Sequence, residues 1–258
     1  MIRKDTYNRY VEIQNPVFLI IFIVSVAALN SIFVPILTRN LKHFPMNALI
    51  VYSGGMDSST LLYHYQKEIR LAVSFHYGAK HNDREIAYAR QNCEELGIHH
   101  LVIDLGFMNV YFKSDLLLSG GEIPEGHYEA ENMKKTVVPF RNGIMLSVAV
   151  GLAESNDLDT VLIGNHAGDH TIYPDCRKSF IDAFDVAARE GTDKGIRVVS
   201  PYCDISKREI ALIGKGLNMD FLKTYSCYKG GEKHCGKCGT CVERKEALEG
   251  FDRTEYEE

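Results

Sequence analysis

The residues Ala48-Leu49-Ile50-Val51-Tyr52 form a continuous apolar run that enters Ser53-Gly54-Gly55-Met56-Asp57-Ser58-Ser59 without an intervening linker. An unbroken apolar run of this length is the pattern of a strand buried on both faces of a parallel sheet. The paired glycines allow a tight turn and a close approach of backbone to a ligand. Ser58, Ser59 and Thr60 then open a helical stretch that continues through Leu61 and Leu62 to Tyr65. A helix start offers unpaired N–H groups at its positive dipole end, which together bind anions. A strand, a glycine loop and a helix in this order constrain the chain to an α/β fold with a phosphate-type ligand at the loop. The commoner nucleotide loops, G-x-x-x-x-G-K-[ST] and G-x-G-x-x-G, occur nowhere in the chain.

The rest of the chain alternates in the same manner. Strands are predicted over 48–52, 71–76, 99–104, 160–164 and 196–199, and helices over 58–68, 81–96, 142–155, 177–190, 206–216 and 239–249. Ile86, Ala89, Cys93 and Leu96 recur at helical spacing before Gly97, a C-terminal stop signal. Asn142 is placed to cap the next helix, and Ser206 with Glu209 forms a capping-box pattern. Strands alternating with helices predict a parallel sheet with helices on both faces. The stretch 105–135 has no clean period and reads as an irregular insert near the site.

A second cluster lies near the C-terminus, where Cys227, Cys235, Cys238 and Cys241 follow the spacing C-x7-C-x2-C-x2-C. Four thiolates within one short stretch suit a tetrahedral, closed and therefore structural Zn²⁺ site. A disulfide framework is the competing reading, and His234 is a possible replacement ligand. Cys93 reads as a small buried residue, whereas Cys176 lies in a polar loop, where that explanation fits less well. Lys229, Lys233 and Lys237 flank the cluster, either attracting phosphates or offsetting the thiolate charge.

The string S-G-G-x-D-S resembles the pyrophosphate loop of the ATP-pyrophosphatase superfamily. Two further strings complete a pattern: Val137-Val138-Pro139-Phe140-Arg141-Asn142-Gly143, and the run from Gly164 to Arg177 that holds Asp169, His170, Tyr173 and Asp175. Taken in order with the cysteine cluster, these motifs resemble the 7-cyano-7-deazaguanine synthase family from Met46 to Phe251. That resemblance implies a Rossmann-like adenine-nucleotide α-hydrolase fold, with an ATP-binding domain over 46–205 and a helical zinc-binding region over 206–258. It also implies an ATP-dependent ligase that makes the nitrile from 7-carboxy-7-deazaguanine and ammonia through an adenylate and an amide. Residues Tyr52 to Leu62 would bind ATP. Ser53, Gly54, Gly55, Asp57 and Ser58 would hold the leaving pyrophosphate, with Asp57 beside its Mg²⁺. Arg141 suits a phosphate or the substrate carboxylate, because its planar fork fits both. Asp169, His170, Tyr173 and Asp175 could grip the deazaguanine edge or Mg²⁺, or could be a polar loop in which Asp175 caps the helix near Arg177. The resemblance further implies a cytoplasmic homodimer.

The segment 1–45 stands outside this pattern. No charge occurs from Val17 to Leu37, a length that suits a membrane span, and basic residues flank it on both sides. Met46 directly precedes the first core strand, at the point where the resemblance begins. The expectation adopted is that 1–45 comes from a misassigned start, with a membrane anchor as the second reading. The full chain carries a formal net charge of −5, which argues against a broad nucleic-acid surface or a stable nucleic-acid partner. Two other activities compete: adenylation of a tRNA base for thiolation, and a zinc module that binds nucleic acid or acts as a scaffold.

Overall fold

The computed structural model describes residues 46–127 and 131–257. The uncharged run 17–37 lies outside the described residues. Among the described residues, no helix is long and apolar enough to cross a membrane.

Five parallel strands form the centre: β1 (Ala48–Val51), β2 (Ile69–His76), β3 (His99–Asp104), β4 (Thr160–Leu162) and β5 (Arg197–Val199), in the order β3-β2-β1-β4-β5. The helix α1 (Met56–His64) connects β1 to β2, and α2 (Asn82–Leu96) connects β2 to β3. The chain next passes through the short α3 (Phe107–Tyr111), returns to the other side of β1 through α4 (Arg141–Ser155), and reaches β5 through α5 (Lys178–Glu190). Right-handed crossovers running in opposite directions from β1 put α1 and α2 on one face and α4 and α5 on the other.

The second face is the larger core. Leu49, Val73, Phe75, Val161 and Val198 point to it and pack with Met145, Leu146 and Ala149 of α4 and with Ile181 and Ala188 of α5. Period-two alternation along each strand makes this division. Two further helices, α6 (Lys207–Gly216) and α7 (Gly239–Ala247), complete the fold; α6 packs on both α1 and α7.

Some boundaries differ from the sequence reading. The first helix begins at Met56 rather than at Ser58, so Asp57 already lies in its first turn. Asn142 does not cap α4. The cap position is Phe140, at φ +51°, and the Asn142 N–H donates to Asp175 Oδ2 at 2.8 Å. A carboxylate brought from 33 residues away thus does the work expected of a local side chain. The irregular stretch 105–135 contains α3 and a 3₁₀ turn over Glu131–Thr136. Ser206 caps α6 as expected, its side chain accepting from Glu209 N while Glu209 accepts from Ser206 N.

Candidate active site

The strand order reverses between β1 and β4, and open α/β sheets bind ligands at the carboxyl ends of strands at such a point. The loop after β1 and the segment after β4 both arrive there. Together with α2, α4, α6 and the 225–228 segment they line an open cleft of about 200 Å³.

The loop is fixed from beneath. Gly54 takes φ +90°, and a Cβ there would fall 2.2 Å from the Glu85 carbonyl oxygen. The Tyr225 N–H donates to the Gly54 carbonyl at 3.1 Å. Ser53 Oγ accepts from Gly55 N at 3.0 Å and lies 3.0 Å from Ser58 Oγ. Tyr52 is fully buried; its hydroxyl meets Ser59 Oγ at 3.0 Å and accepts from Asn92 at 2.9 Å. Gly55 caps α1 without a side-chain hydrogen bond, leaving the helix start facing the cleft. Thr60, Leu61 and Leu62 are buried behind it. Of the stretch expected to bind ATP, therefore, Tyr52, Ser53, Gly55, Met56, Asp57 and Ser58 line the cleft, and the last three residues support it.

Asp57 sits in a buried charged cluster that sequence reading missed. Lys207 Nζ lies 3.0 Å from Asp57 Oδ2 and 2.8 Å from Glu243 Oε2. His166 Nδ1 accepts from Gly168 N, so a neutral ring carries its proton on Nε2, which faces Asp169 at 3.5 Å, Glu243 at 3.6 Å and Asp57 at 4.0 Å. Burial works against the Lys207 ammonium, but Asp57, Glu243 and Asp169 outweigh it and hold its pKa above the ordinary lysine value. Burial pushes the Glu243 carboxyl up, against Lys207 and His166. Asp57 Oδ1 is buried with no hydrogen-bond partner. An orphaned carboxylate oxygen at the loop fits a hard divalent cation travelling with a triphosphate.

On the opposite wall, Arg141 Nη1 donates to the Tyr77 hydroxyl at 3.3 Å, and its guanidinium lies 5.8 Å from the Tyr77 ring centre and 5.9 Å from that of Tyr173. Burial opposes this charge, yet Tyr77, Tyr228 and Asp175 keep it protonated. Glu85 and His81 line the same cleft. Burial pushes the Glu85 carboxyl up to about 8, against the pull of Arg141 and Lys207. Burial, reinforced by Arg141, drives His81 down to about 3, so its ring is neutral.

The residues expected at the substrate separate into two groups. Arg141, Asp169 and Tyr173 line the cleft, whereas Asp175 and His170 do not. Asp175 holds the start of α4, not the helix near Arg177, and His170 Nε2 lies 3.4 Å from Cys203 Sγ. Cys176 lines the cleft but is a poor nucleophile, because burial raises its thiol well above the ordinary value. Glu85 had a signal in the sequence: it adjoins the apolar stripe of Ile86, Ala89 and Cys93, where an unpaired charge is costly. Lys207 and Glu243 had none beyond their type.

The four Sγ atoms of Cys227, Cys235, Cys238 and Cys241 are buried and lie within 4.8 Å of one another. Cys235 Sγ and Cys241 Sγ are 3.9 Å apart, close to the roughly 3.8 Å edge of a tetrahedron with 2.3 Å metal–sulfur bonds. Backbone N–H groups of Cys235, Lys237 and Cys238 point at cluster sulfurs at 3.4, 3.5 and 3.2 Å. These donors stabilise thiolates and fit a metal centre. His234 is not part of it: its Nε2 accepts from Ser226 N at 3.0 Å. Lys229 and Lys233 pair with Glu125 and Glu255, outside the cleft. All seven cysteines are free, which sets the disulfide reading aside.

The parallel sheet, the S-G-G-x-D-S loop at its switch point and the cysteine cluster define an α/β protein of the PP-loop class. A family profile described as queuosine biosynthesis protein QueC matches residues 47–252, and the chain belongs to this family. A 7-cyano-7-deazaguanine synthase of Porphyromonas gingivalis is 60% identical over 214 residues, 82% of this chain and 97% of the relative. The synthase of Desulfotalea psychrophila is 53% identical over 82% of this chain and 99% of its own length. That of Hahella chejuensis is 45% identical, covering 82% and 92% respectively.

Proposed function

We propose that this chain is a C–N ligase that uses ATP to convert 7-carboxy-7-deazaguanine and ammonia into 7-cyano-7-deazaguanine. The observation that carries the reading is membership of the QueC family over residues 47–252. The cleft has the parts that the chemistry needs. The substrate carboxylate attacks the α-phosphorus of ATP, and pyrophosphate leaves. The α1 start, Ser53, Gly55 and Ser58 receive the leaving group, and Arg141 orients the attacking carboxylate. Ammonia displaces AMP to give the amide. A second ATP activates the amide oxygen, and loss of AMP leaves the nitrile. Positioning and charge stabilisation suffice for each transfer, so the buried Cys176 thiol has no step to perform.

Asp57 is the residue that would hold Mg²⁺ accompanying ATP, where the ion would neutralise charge on the departing pyrophosphate. Cys227, Cys235, Cys238 and Cys241 would hold Zn²⁺, whose role is to organise 225–241 behind the loop. We keep 46–205 as the ATP-binding domain and 206–258 as the zinc-binding region, with Lys207 of the second reaching into the cleft and Glu243 paired to it from behind. The need for a supply of ATP supports a cytoplasmic location. A homodimer is supported by exposed apolar side chains on α3, Phe107, Val110 and Tyr111, beside exposed Leu118.

The test is product analysis by mass. Protein incubated with 7-carboxy-7-deazaguanine, ATP, Mg²⁺ and ammonium is expected to give the nitrile with AMP and pyrophosphate. Amide accumulating without nitrile would make it an amide-forming relative instead. Sedimentation tests the dimer, with Tyr111→Glu expected to give monomers.

A further inference from the structure

Ammonium carries no free electron pair at neutral pH, so a site that uses it must first remove a proton. The cleft holds one group suited to that task that has so far been given no role. Glu85 projects from α2 with its side chain 14% exposed. Its Oε1 lies against the loop, 3.4 Å from where a Cβ on Gly55 would stand. Its Oε2 is 3.5 Å from His81 Nε2. On the proposed reading the adenylate carbonyl lies between the loop after β1 and Arg141, and Glu85 lines the same cleft as both.

His81 is fixed and neutral. Its side chain is 3% exposed, and the ring stacks on Tyr228 with centroids 5.1 Å apart. Its Nδ1 is buried and without a hydrogen-bond partner, though the residue lines the cleft. An unsatisfied buried polar atom in a ligand cleft points to a polar guest. An anion gains nothing from a carboxylate or a neutral imidazole, whereas a small cation with several N–H donors suits either acceptor.

We propose that Glu85 and His81 form the ammonium site, where Glu85 takes the proton that frees the nucleophile and His81 positions Glu85. The proposal rests on the reading of an ammonia-dependent amidation. Ammonium gives one proton to the Glu85 carboxylate. The freed electron pair forms the C–N bond to the adenylate carbonyl carbon, the C–O bond to AMP breaks, and AMP leaves with that pair. The surplus proton on the new nitrogen passes to water, and Glu85 releases its own through the cleft mouth. An ordinary carboxylate is too weak a base to take this proton well; Glu85, pushed up to about 8, is a stronger base once ionised, so the acid limb of the rate follows its ionisation. Besides His81, the charged and titratable groups facing it are Arg141, Lys207, Asp57 and Tyr77.

Hydroxylamine separates this role from a structural one, because it is already neutral and nucleophilic near pH 7. Glu85→Gln is expected to lower kcat/KM for ammonium about 100-fold or more, the usual scale of a lost general base. It should form hydroxamate from hydroxylamine at close to the wild-type rate, with its zinc content unchanged. Equal loss with both nucleophiles, or undiminished use of ammonium, overturns the proposal. The wild-type enzyme gives a second reading independent of the variant's fold. Its rate at low total ammonium should trace a bell against pH, while the hydroxylamine rate lacks the alkaline fall. A rate that only tracks free ammonia overturns the proposal as well. Failure of the wild-type enzyme to make AMP with either nucleophile would overturn the ligase reading itself, and this site with it.

Discussion

Gly54 illustrates how little freedom the loop has. Its φ of +90° and the 2.2 Å separation between an added Cβ and the Glu85 carbonyl oxygen involve backbone on both sides, so no side chain can yield. Gly54→Ala is expected to cost about 2 kcal/mol or more, measured by urea unfolding, and to weaken ATP binding by displacing the loop. Asp57 is proposed to serve function more than folding. Asp57→Ala leaves Lys207 paired with Glu243, so the fold should survive while pyrophosphate release falls about 100-fold; retained release would remove Asp57 from the site. Glu85 carries a signature visible without turnover. Its folded pKa of about 8 stands above the ordinary 4.5, so between these values the folded state keeps a proton that the unfolded state has lost. Stability from this group is present at the acid end and is lost as pH rises through about 8. Relative to Glu85→Gln, the wild-type protein should lose stability across that window, and equal slopes in paired unfolding curves would contradict the assignment.

At the scale of elements, the sequence signals were strongest where the determinant is local. The capping box at Ser206 and Glu209 and the left-handed Gly97 after α2 stand as the sequence predicts, because a cap is settled within one turn of chain. The start of α4 was misread because Asp175, from a different segment, takes the Asn142 N–H. The helix α7 joins two parts of the molecule: Cys241 is in the four-cysteine cluster, Glu243 reaches Lys207, and Arg244 is fully buried with bonds to Thr224, Ser226, Phe221 and Thr254. Damage to the cluster should therefore reach the loop. Cys235→Ser is expected to lose the bound metal and about 3 kcal/mol or more of stability, roughly 6–12 °C in Tm for a domain of this size. Metal analysis and calorimetry on the same sample check this, and full metal content with an unchanged Tm would refute it.

For the whole molecule, the cleft gathers β1, β4, α2, α4, α6 and the 225–228 segment, so a ligand there ties together parts from most of the described chain. ATP with Mg²⁺ at 100 times its Kd should raise stability by about 2.7 kcal/mol, read as a shift in Tm that disappears in Asp57→Ala. Chelation of the cluster metal should lower both Tm and the affinity for ATP, because Tyr225 bonds the Gly54 carbonyl two residues before Cys227. By itself the sequence determined the alternation of strands and helices, the glycine loop after β1 and the four-cysteine set. Each depends on neighbouring residues: apolar run length, glycine freedom, cap chemistry and ligand spacing. Only the tertiary structure decided which charges meet in and directly behind the cleft. Glu85, Arg141, Lys207 and Glu243 come from four separate helices, and their protonation depends on burial and on one another. Those are properties of distance in space, which spacing along the chain does not encode.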